Sequence, residues 1–297
     1  MLTGWQEQSA AEYHADALSD GPSLSPSCGW TLVNRSPLHA HHEHPRLGAN
    51  RRKATDAMDD GTIVHAFVLG RGGERVEKIT AVYGPKHERA GELVSDYRTD
   101  AAKADRDAIL GRGNTPLLAA ESLKLGALAT AFEQRLAADG VVLLPEHSER
   151  ALYWVETADD GTKVQCRTLF DNWNHETATD TDLKTCDSAH PKSCVRHVEA
   201  YGAHVQFAAH LSALRIVHPE LIGRVSQRWV FAEMEPPHPI LVVGPSSSME
   251  ELGELLWRQA VNRWARCLNT GKWPGYESGP LEASRWALEG AYIMEGA

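Results

Sequence analysis

Between Glu149 and Thr185 the chain carries three strand-like segments in succession, divided by short turn signals. Consecutive strands joined this way lie side by side in one sheet, so this stretch restricts the fold more than any other. "ERALYWVETADDGTKVQCRTLFD" reads as two strands meeting at Asp159-Asp160-Gly161, where Asp-Gly suits a tight hairpin. In the second strand, alternation sets Val164, Cys166, Thr168 and Phe170 on one face and Gln165, Arg167, Leu169 and Asp171 on the other. "TDTDLKT" continues as a third strand, with Asp180, Asp182 and Lys184 sharing a face. The run "DNWNHETATDTDLKT" places Asp171, Asp182 and Lys184 among threonines with little apolar cover. Clustered like charges are unfavourable unless paired, hydrogen-bonded or bound to a metal. The run is therefore a solvated loop or a site.

The flanks supply helices. Residues 1 to about 55 are rich in Ser, Pro and His and read as short helices and loops. "DDGTIVHAFVLG" reads as a helix carrying His65, and "EKITAVYGP" has strand composition. Residues 86–115 are polar and read as irregular. "TPLLAAESLKLGALATAFEQRLAADG" repeats Leu117, Leu125, Leu128, Phe132 and Leu136 near helical spacing, with Gly140 placed to stop it. After the three strands come a long helical stretch, "KSCVRHVEAYGAHVQFAAHLSALRIVHPE", and two strands, "RVSQRWVFAEME" and "HPILVVG". A final helix opens with a capping-box pattern at Ser248 and Glu251. No internal repeat is visible. This order of elements predicts an α/β fold: a mixed sheet with helices on its faces. The whole chain reads as one domain, with a helical and loop extension over 1–58, a core over 59–244, and a C-terminal helix and tail over 245–297.

Composition narrows the function classes. At 297 residues, 42% hydrophobic and 24% charged, the chain suits a globular protein and not a disordered one. No apolar run approaches the roughly 20 residues that span a bilayer, and the first residues show no secretion signal. Five cysteines without a C-x-x-C pair argue against a disulfide framework, which makes a reducing cytoplasm the expected setting. The net charge of -10 argues mildly against a protein that coats nucleic acid by bulk attraction, yet carboxylates that hold a cation would add to the same total.

If the second and third strands pair, Asp171 and Asp182 converge on one cation. Hard oxygen ligands favour Mg²⁺ or Mn²⁺, and Lys184 beside the ion would orient a water or stabilise charge during phosphodiester hydrolysis. The plain alternative is a hairpin with solvated Asp and Lys side chains, and D…D-x-K alone does not choose between them. "HAHHEH" offers His39, His41, His42 and His44 as zinc ligands or as a solvated loop. "GRGGER" at 70–75 lacks the frame of a phosphate loop and reads as a turn. Cys166, Cys186 and Cys194 read as packed thiols. Arg46, Arg51, Arg52 and Lys53 either contact phosphates or solubilise a loop.

Several separated segments together carry a likeness. "EYHAD", "LVNRSPLHA", "GTIVHAFVL", the Glu-led hairpin ending in Asp171, "DLKT", "YGAHVQFAAH" and "CLNTGKWPGY" occur in that order along the chain. In this the chain resembles the exonuclease VIII (RecE-type) family of phage and prophage nucleases, in the PD-(D/E)XK superfamily that also holds lambda exonuclease and the RecB nuclease domain. The resemblance implies a restriction-endonuclease-like core with helical N-terminal additions. It implies that His65, Asp171 and Asp182 bind Mg²⁺, that Lys184 is the catalytic lysine, that Glu149 helps position metal or water, and that Gln206 supports the site or contacts the DNA backbone. Three positions depart from the family pattern: Phe170 where Pro is common, His210 where Tyr is usual, and Leu183 between Asp and Lys. His210 lies one helical turn from Gln206, so a polar contact between them is expected to survive. The implied activity is a Mg²⁺-dependent exodeoxyribonuclease that degrades duplex ends 5′ to 3′ and leaves 3′ overhangs. Its implied partners are DNA ends, a single-strand annealing recombination protein and further copies of itself in a ring, in the cytoplasm of a bacterial host. Rival expectations are a structure- or single-strand-specific endonuclease of the superfamily, or a DNA-binding scaffold on a decayed nuclease fold.

Overall fold

The computed structural model describes residues 1–49, 56–69, 76–112, 114–285 and 287–289. The chain begins with β1 (Gly4–Gln6), α1 (Ala10–Ala15), α2 (Pro26–Asn34) and α3 (Pro37–Glu43). Ser9, Ser25 and Ser36 start these helices by accepting a backbone N–H from the first turn. Next come α4 (Asp56–Leu69), β2 (Val76–Lys78), α5 (Asp100–Gly111), β3 (Thr115–Leu117) and α6 (Ala119–Ala138). The three central strands are β4 (Ser148–Thr157), β5 (Lys163–Asn174) and β6 (Thr179–Cys186). They are followed by α7 (Pro191–Tyr201), α8 (Ala203–Val217), β7 (Ser226–Glu233), β8 (Ile240–Val243) and α9 (Ser247–Thr270).

Six strands form one sheet in the order β1-β4-β5-β6-β7-β8. Every pairing is antiparallel except β6 with β7, which runs parallel from Thr179↔Ser226 to Cys186↔Glu233. A parallel pair needs a crossover, and α7 with α8 supplies it. Because side chains alternate along a strand, β7 feeds two cores: Trp229 and Phe231 pack with Val198 and Phe207 of the crossover, while Val230 and Ala232 pack with α4 and α6. A third core joins Trp154, Cys166 and Phe170 to α2, α8 and α9. In α9, Trp257, Ala260, Val261, Trp264 and Ala265 keep helical spacing and are all buried. The result is a mixed α/β sheet covered by helices on both faces, as the element order predicts.

The β4–β5 hairpin turns at Gly161, whose φ of +86 is open to glycine at little strain. Elsewhere the structure corrects the sequence reading. The segment taken as irregular contains α5, capped by Thr99; only its Ala102 and Ile109 are buried, too few to betray a period. The long helical stretch after β6 is two helices broken at Gly202. Thr115–Leu117, taken as the start of a helix, is β3 and pairs in parallel with β2. The last helix is capped by Ser246 and not by Ser248, which lies within its first turn. "GRGGER", Arg51, Arg52 and Lys53 lie outside the described residues.

Candidate active site

The site forms where two strands part. β5 and β6 pair only at Asn172↔Thr181, Trp173↔Asp180 and Asn174↔Thr179. Counting on by one, the next pair in register is Asp171 with Asp182, and here the ladder gives way. The Leu183 amide donates to Asp171 Oδ2 at 2.9 Å, so a side chain takes the place of a neighbouring strand's carbonyl. The Leu183 carbonyl lies 3.1 Å from His65 Nε2. A carbonyl only accepts, so Nε2 carries the proton and Nδ1 keeps a lone pair. His65 Nε2 is also 3.8 Å from Asp171 Oδ2. The imidazole reaches this opening because its neighbours on α4, Ile63 and Val64, are buried against Leu183 in one core.

Asp182 points toward the crossover helices. Its Oδ1 accepts from Lys184 Nζ at 2.7 Å and from Gln206 Nε2 at 3.2 Å, and Lys184 Nζ lies 3.5 Å from Gln206 Oε1. The Asp182 side chain is 2% exposed and that of Lys184 20%. Asp182 Oδ2 is buried and finds no hydrogen-bond partner among the described residues. Burial pushes the Asp182 carboxyl above the usual carboxylate range, Lys184 draws it down, and the charge of Asp171 raises it again. Burial works against the Lys184 ammonium, but Asp182 and Asp171 outweigh it and hold its pKa above the ordinary value. The plain alternative, a hairpin with solvated Asp and Lys side chains, does not hold for Asp182. The apolar cover missing from the local sequence comes from α8, whose Val205, Ala208 and Ala209 are buried on the sheet.

One helical turn along α8, a second acid is met by a second side chain. His210 Nδ1 lies 2.6 Å from Asp180 Oδ2, and both residues are buried. With its amide oriented to satisfy both neighbours, Gln227 donates to the same oxygen at 2.6 Å and accepts from Trp229 Nε1 at 3.2 Å. The polar partner of His210 is therefore Asp180 and not Gln206, contrary to the sequence expectation. Its ring stacks on Phe170 with centroids 4.0 Å apart. The two side chains that depart most from the family pattern touch each other.

His65, Glu149, Asp171 and Gln206 line one cavity of about 320 Å³, together with Tyr13 and Trp30 from the N-terminal helices. The pairs Ser148↔Asn172 and Arg150↔Phe170 place Glu149 across from Asp171 in register. Glu149 has a φ of +47, unusual for a side-chain-bearing residue and a local strain beside the cavity. All six residues expected from the sequence are therefore gathered within one region: four on the cavity wall, and Asp182 with Lys184 tied to it through Gln206.

Other candidates disperse. In the His-rich run, His39 bonds Ser36 Oγ, His41 packs on Trp273, and His44 is buried with Nε2 on the Ser23 carbonyl. Arg46 laces the loop between α1 and α2 through the carbonyls of Asp16, Ser19, Asp20 and Gly21. Cys166 and Cys194 are buried free thiols, and Cys186 is a half-buried one. The sequence reading missed His175, His218 and Glu220, whose ligand atoms lie within 4.8 Å of one another. His218 is already engaged there, by Trp5 Nε1 at 2.8 Å and by Glu220 at 3.0 Å. It also missed Asp180 with His210, a pairing that exists only once α8 is folded on β6.

The donor set fits a hard divalent cation. Two carboxylates face each other in register, one of them has a buried oxygen without a partner among the described residues, and an imidazole anchored through Nε2 on the Leu183 carbonyl stands beside Asp171. The fold has known counterparts. A crystal structure from Eubacterium rectale, provisionally named an exonuclease, superposes with a TM-score of 0.58 over 95% of this chain and 98% of its own, at 13% identity. Such a match establishes a shared restriction-endonuclease-like fold. A phage-related exonuclease from Haemophilus somnus 129PT matches at a TM-score of 0.30 and 10% identity over 70% of this chain and 95% of its own, too weakly to carry an argument. No protein-family model and no curated protein matches the sequence. Among the described residues no helix is long and apolar enough to cross a membrane.

Proposed function

We propose that the protein is a Mg²⁺-dependent DNA nuclease, with Mn²⁺ as a possible substitute, that hydrolyses phosphodiester bonds from duplex ends. The observation that carries this reading is the buried, unpartnered Oδ2 of Asp182, beside Asp171 and Lys184 at an opening in the sheet. Leaving a carboxylate oxygen unpaired costs about 1–3 kcal/mol or more, which a fold retains where something else is to bind. Asp171, Asp182 and His65 would hold the ion. When bound, it would supply positive charge to a phosphate oxygen and make a water more acidic. Lys184, aimed by Asp182 and Gln206, donates a hydrogen bond toward the charge that develops on phosphorus-bound oxygen. Gln206 holds both partners in place, and Glu149, across from Asp171, positions a water.

The fold shared with the Eubacterium rectale protein, and the name given to it, support a nuclease class. The family resemblance supports the finer reading: 5′-to-3′ degradation leaving 3′ overhangs, delivery of these to a strand-annealing recombination protein, assembly into a homo-oligomeric ring, and work in the host cytoplasm. The deciding experiment is digestion of 5′-labelled linear duplex, with Mg²⁺ and with EDTA, beside a closed circle. The expected result is metal-dependent loss of the linear DNA, early release of label and a spared circle. Cutting of the circle would identify an endonuclease; loss of single strands alone would identify a single-strand-specific enzyme. Retained Mg²⁺ binding with no cutting of either DNA would identify a decayed scaffold.

A further inference from the structure

The mouth of the cavity carries an aromatic side chain that the mechanism does not use. Tyr201, the last residue of α7, lines the same cavity as Asp171 and Gln206, yet it is 71% exposed. A lone exposed tyrosine is ordinary; this one is held in an unusual way. On one side, Trp30 Nε1 donates to the Ala200 carbonyl at 3.3 Å. On the other, the Trp30 ring lies over Gly202, so close that a Cβ there would stand 2.6 Å from Trp30 Cγ. Gly202 is left-handed, with φ +76, and starts α8 one turn before Gln206. One tryptophan thus pins the backbone before and after Tyr201 and leaves its phenol ring in solvent. The ring rests only partly on protein: His197 lies against it with centroids 4.5 Å apart and the two planes tilted by 44°. His197 in turn packs edge-on against Phe231, with centroids 5.5 Å apart, and Phe231 is the sheet neighbour of Lys184.

A rigidly based aromatic face, open on one side and lining the same cavity as Glu149, Asp171 and Gln206, matches what a nucleobase needs. Bases stack on aromatic rings regardless of sequence, while the phosphate chain lies alongside. A duplex buries its base faces, so a base can stack here only when it is unpaired or frayed at an end. We propose that Tyr201 is a stacking platform for one unpaired nucleobase of the DNA strand entering the cavity, adjacent to the phosphate held at Asp171, Asp182 and Lys184. This rests on the nuclease reading for the class of ligand.

The test is a fluorescence titration with Mg²⁺ in a Lys184→Ala background, where turnover is removed. The probe is a single-stranded oligonucleotide carrying 2-aminopurine, beside an abasic strand of equal length. The unaltered Tyr201 is expected to quench the 2-aminopurine. Tyr201→Ala is expected to remove the quenching and weaken binding about tenfold, the scale of one stacked base. Tyr201→Phe should restore both, and the abasic strand should bind equally with or without the ring. Thermal melts of each variant check that the fold is retained, as expected for so exposed a side chain. Equal affinity and quenching in Tyr201→Ala would overturn the proposal, as would a change in sedimentation without a change in titration, which would assign the ring to a protein contact. Failure of a parent protein to bind DNA would overturn it as well. Cutting of linear duplex together with a silent Tyr201→Ala would sink the platform alone; quenching without any cutting by the wild type would sink the nuclease reading alone.

Discussion

At the scale of single residues, the decisive feature is that Asp182 is satisfied on one oxygen and unsatisfied on the other. If that oxygen belongs to a cation, Mg²⁺ should bind the folded chain and not the unfolded one. At a concentration a hundredfold above its dissociation constant, the ion stabilises by about 2.7 kcal/mol, so the melting temperature should rise by several degrees. Asp182→Asn keeps the shape and removes the charge, and its melting temperature should no longer respond to Mg²⁺; an equal rise in that variant would remove Asp182 from the site. Lys184→Ala should behave differently, because it lacks a donor and keeps the carboxylates. Its cleavage rate on linear duplex should fall by about 100-fold or more, with the Mg²⁺-induced rise retained. The sequence made Asp171, Asp182, Lys184 and His65 legible because the D…D-x-K pattern and the surrounding segments name them. It did not show that Asp180 and Asp182 are buried. Their cover comes from Gln206 and His210, more than twenty positions along the chain, and threonine-rich neighbours carry no trace of a helix that docks later.

At the scale of elements, the site depends on how two helices and three strands are joined. Gly202 divides α7 from α8 and sets the first turn of α8, where Gln206 sits. Gly202→Ala adds a left-handed strain of about 1–2 kcal/mol and drives a methyl group into Trp30. It should lower the melting temperature and reduce cleavage together, whereas Tyr201→Ala next to it should leave the melt unchanged. The ladder of acids on β6 against α8 gives a second test. His210→Ala would leave Asp180 with Gln227 alone, and the loss of a hydrogen bond to a buried acid predicts destabilisation by roughly 1.5–3 kcal/mol in urea unfolding. The Mg²⁺ response should persist, since Asp182 and Asp171 are untouched. Elements were legible where apolar content and turn signals are strong, as in the β4–β5 hairpin, or where burial keeps helical spacing, as on the core face of α9. They were missed where it does not. α5 buries little, and "YG" in mid-helix was read through because the apolar pattern resumes on its far side.

At the scale of the whole molecule, stability should fall in mild acid, because two buried histidines far apart in sequence share one response. Burial lowers the pKa of His44 and of His204 from 6.5, and in each a hydrogen bond to a backbone carbonyl only partly opposes it. In the unfolded chain both take up a proton as the pH falls through about 6.5; in the folded chain they resist until lower pH. The unfolded state then binds more protons, so their share of the stability is fully present above about 6.5 and drains away below it. Asp180 and Asp182 act in the opposite sense. Their carboxyls are held up mainly by burial, so the fold takes up protons before the unfolded chain does, and falling pH favours it in their window. A bare melt against pH mixes the two effects, and a difference between variants separates them. His204→Asn places an amide N–H where Nδ1 stands, so it can still donate to the Val198 carbonyl, but it cannot take up a proton. Between pH 7.5 and 5.5 the wild type should lose more stability than His204→Asn. The gap has a ceiling of about 1.4 kcal/mol for each pH unit below the unfolded pKa. Parallel melting curves for the two proteins across that range would show that His204 keeps an ordinary affinity for protons in the fold, and that its burial against Trp30 is looser than the structure has it.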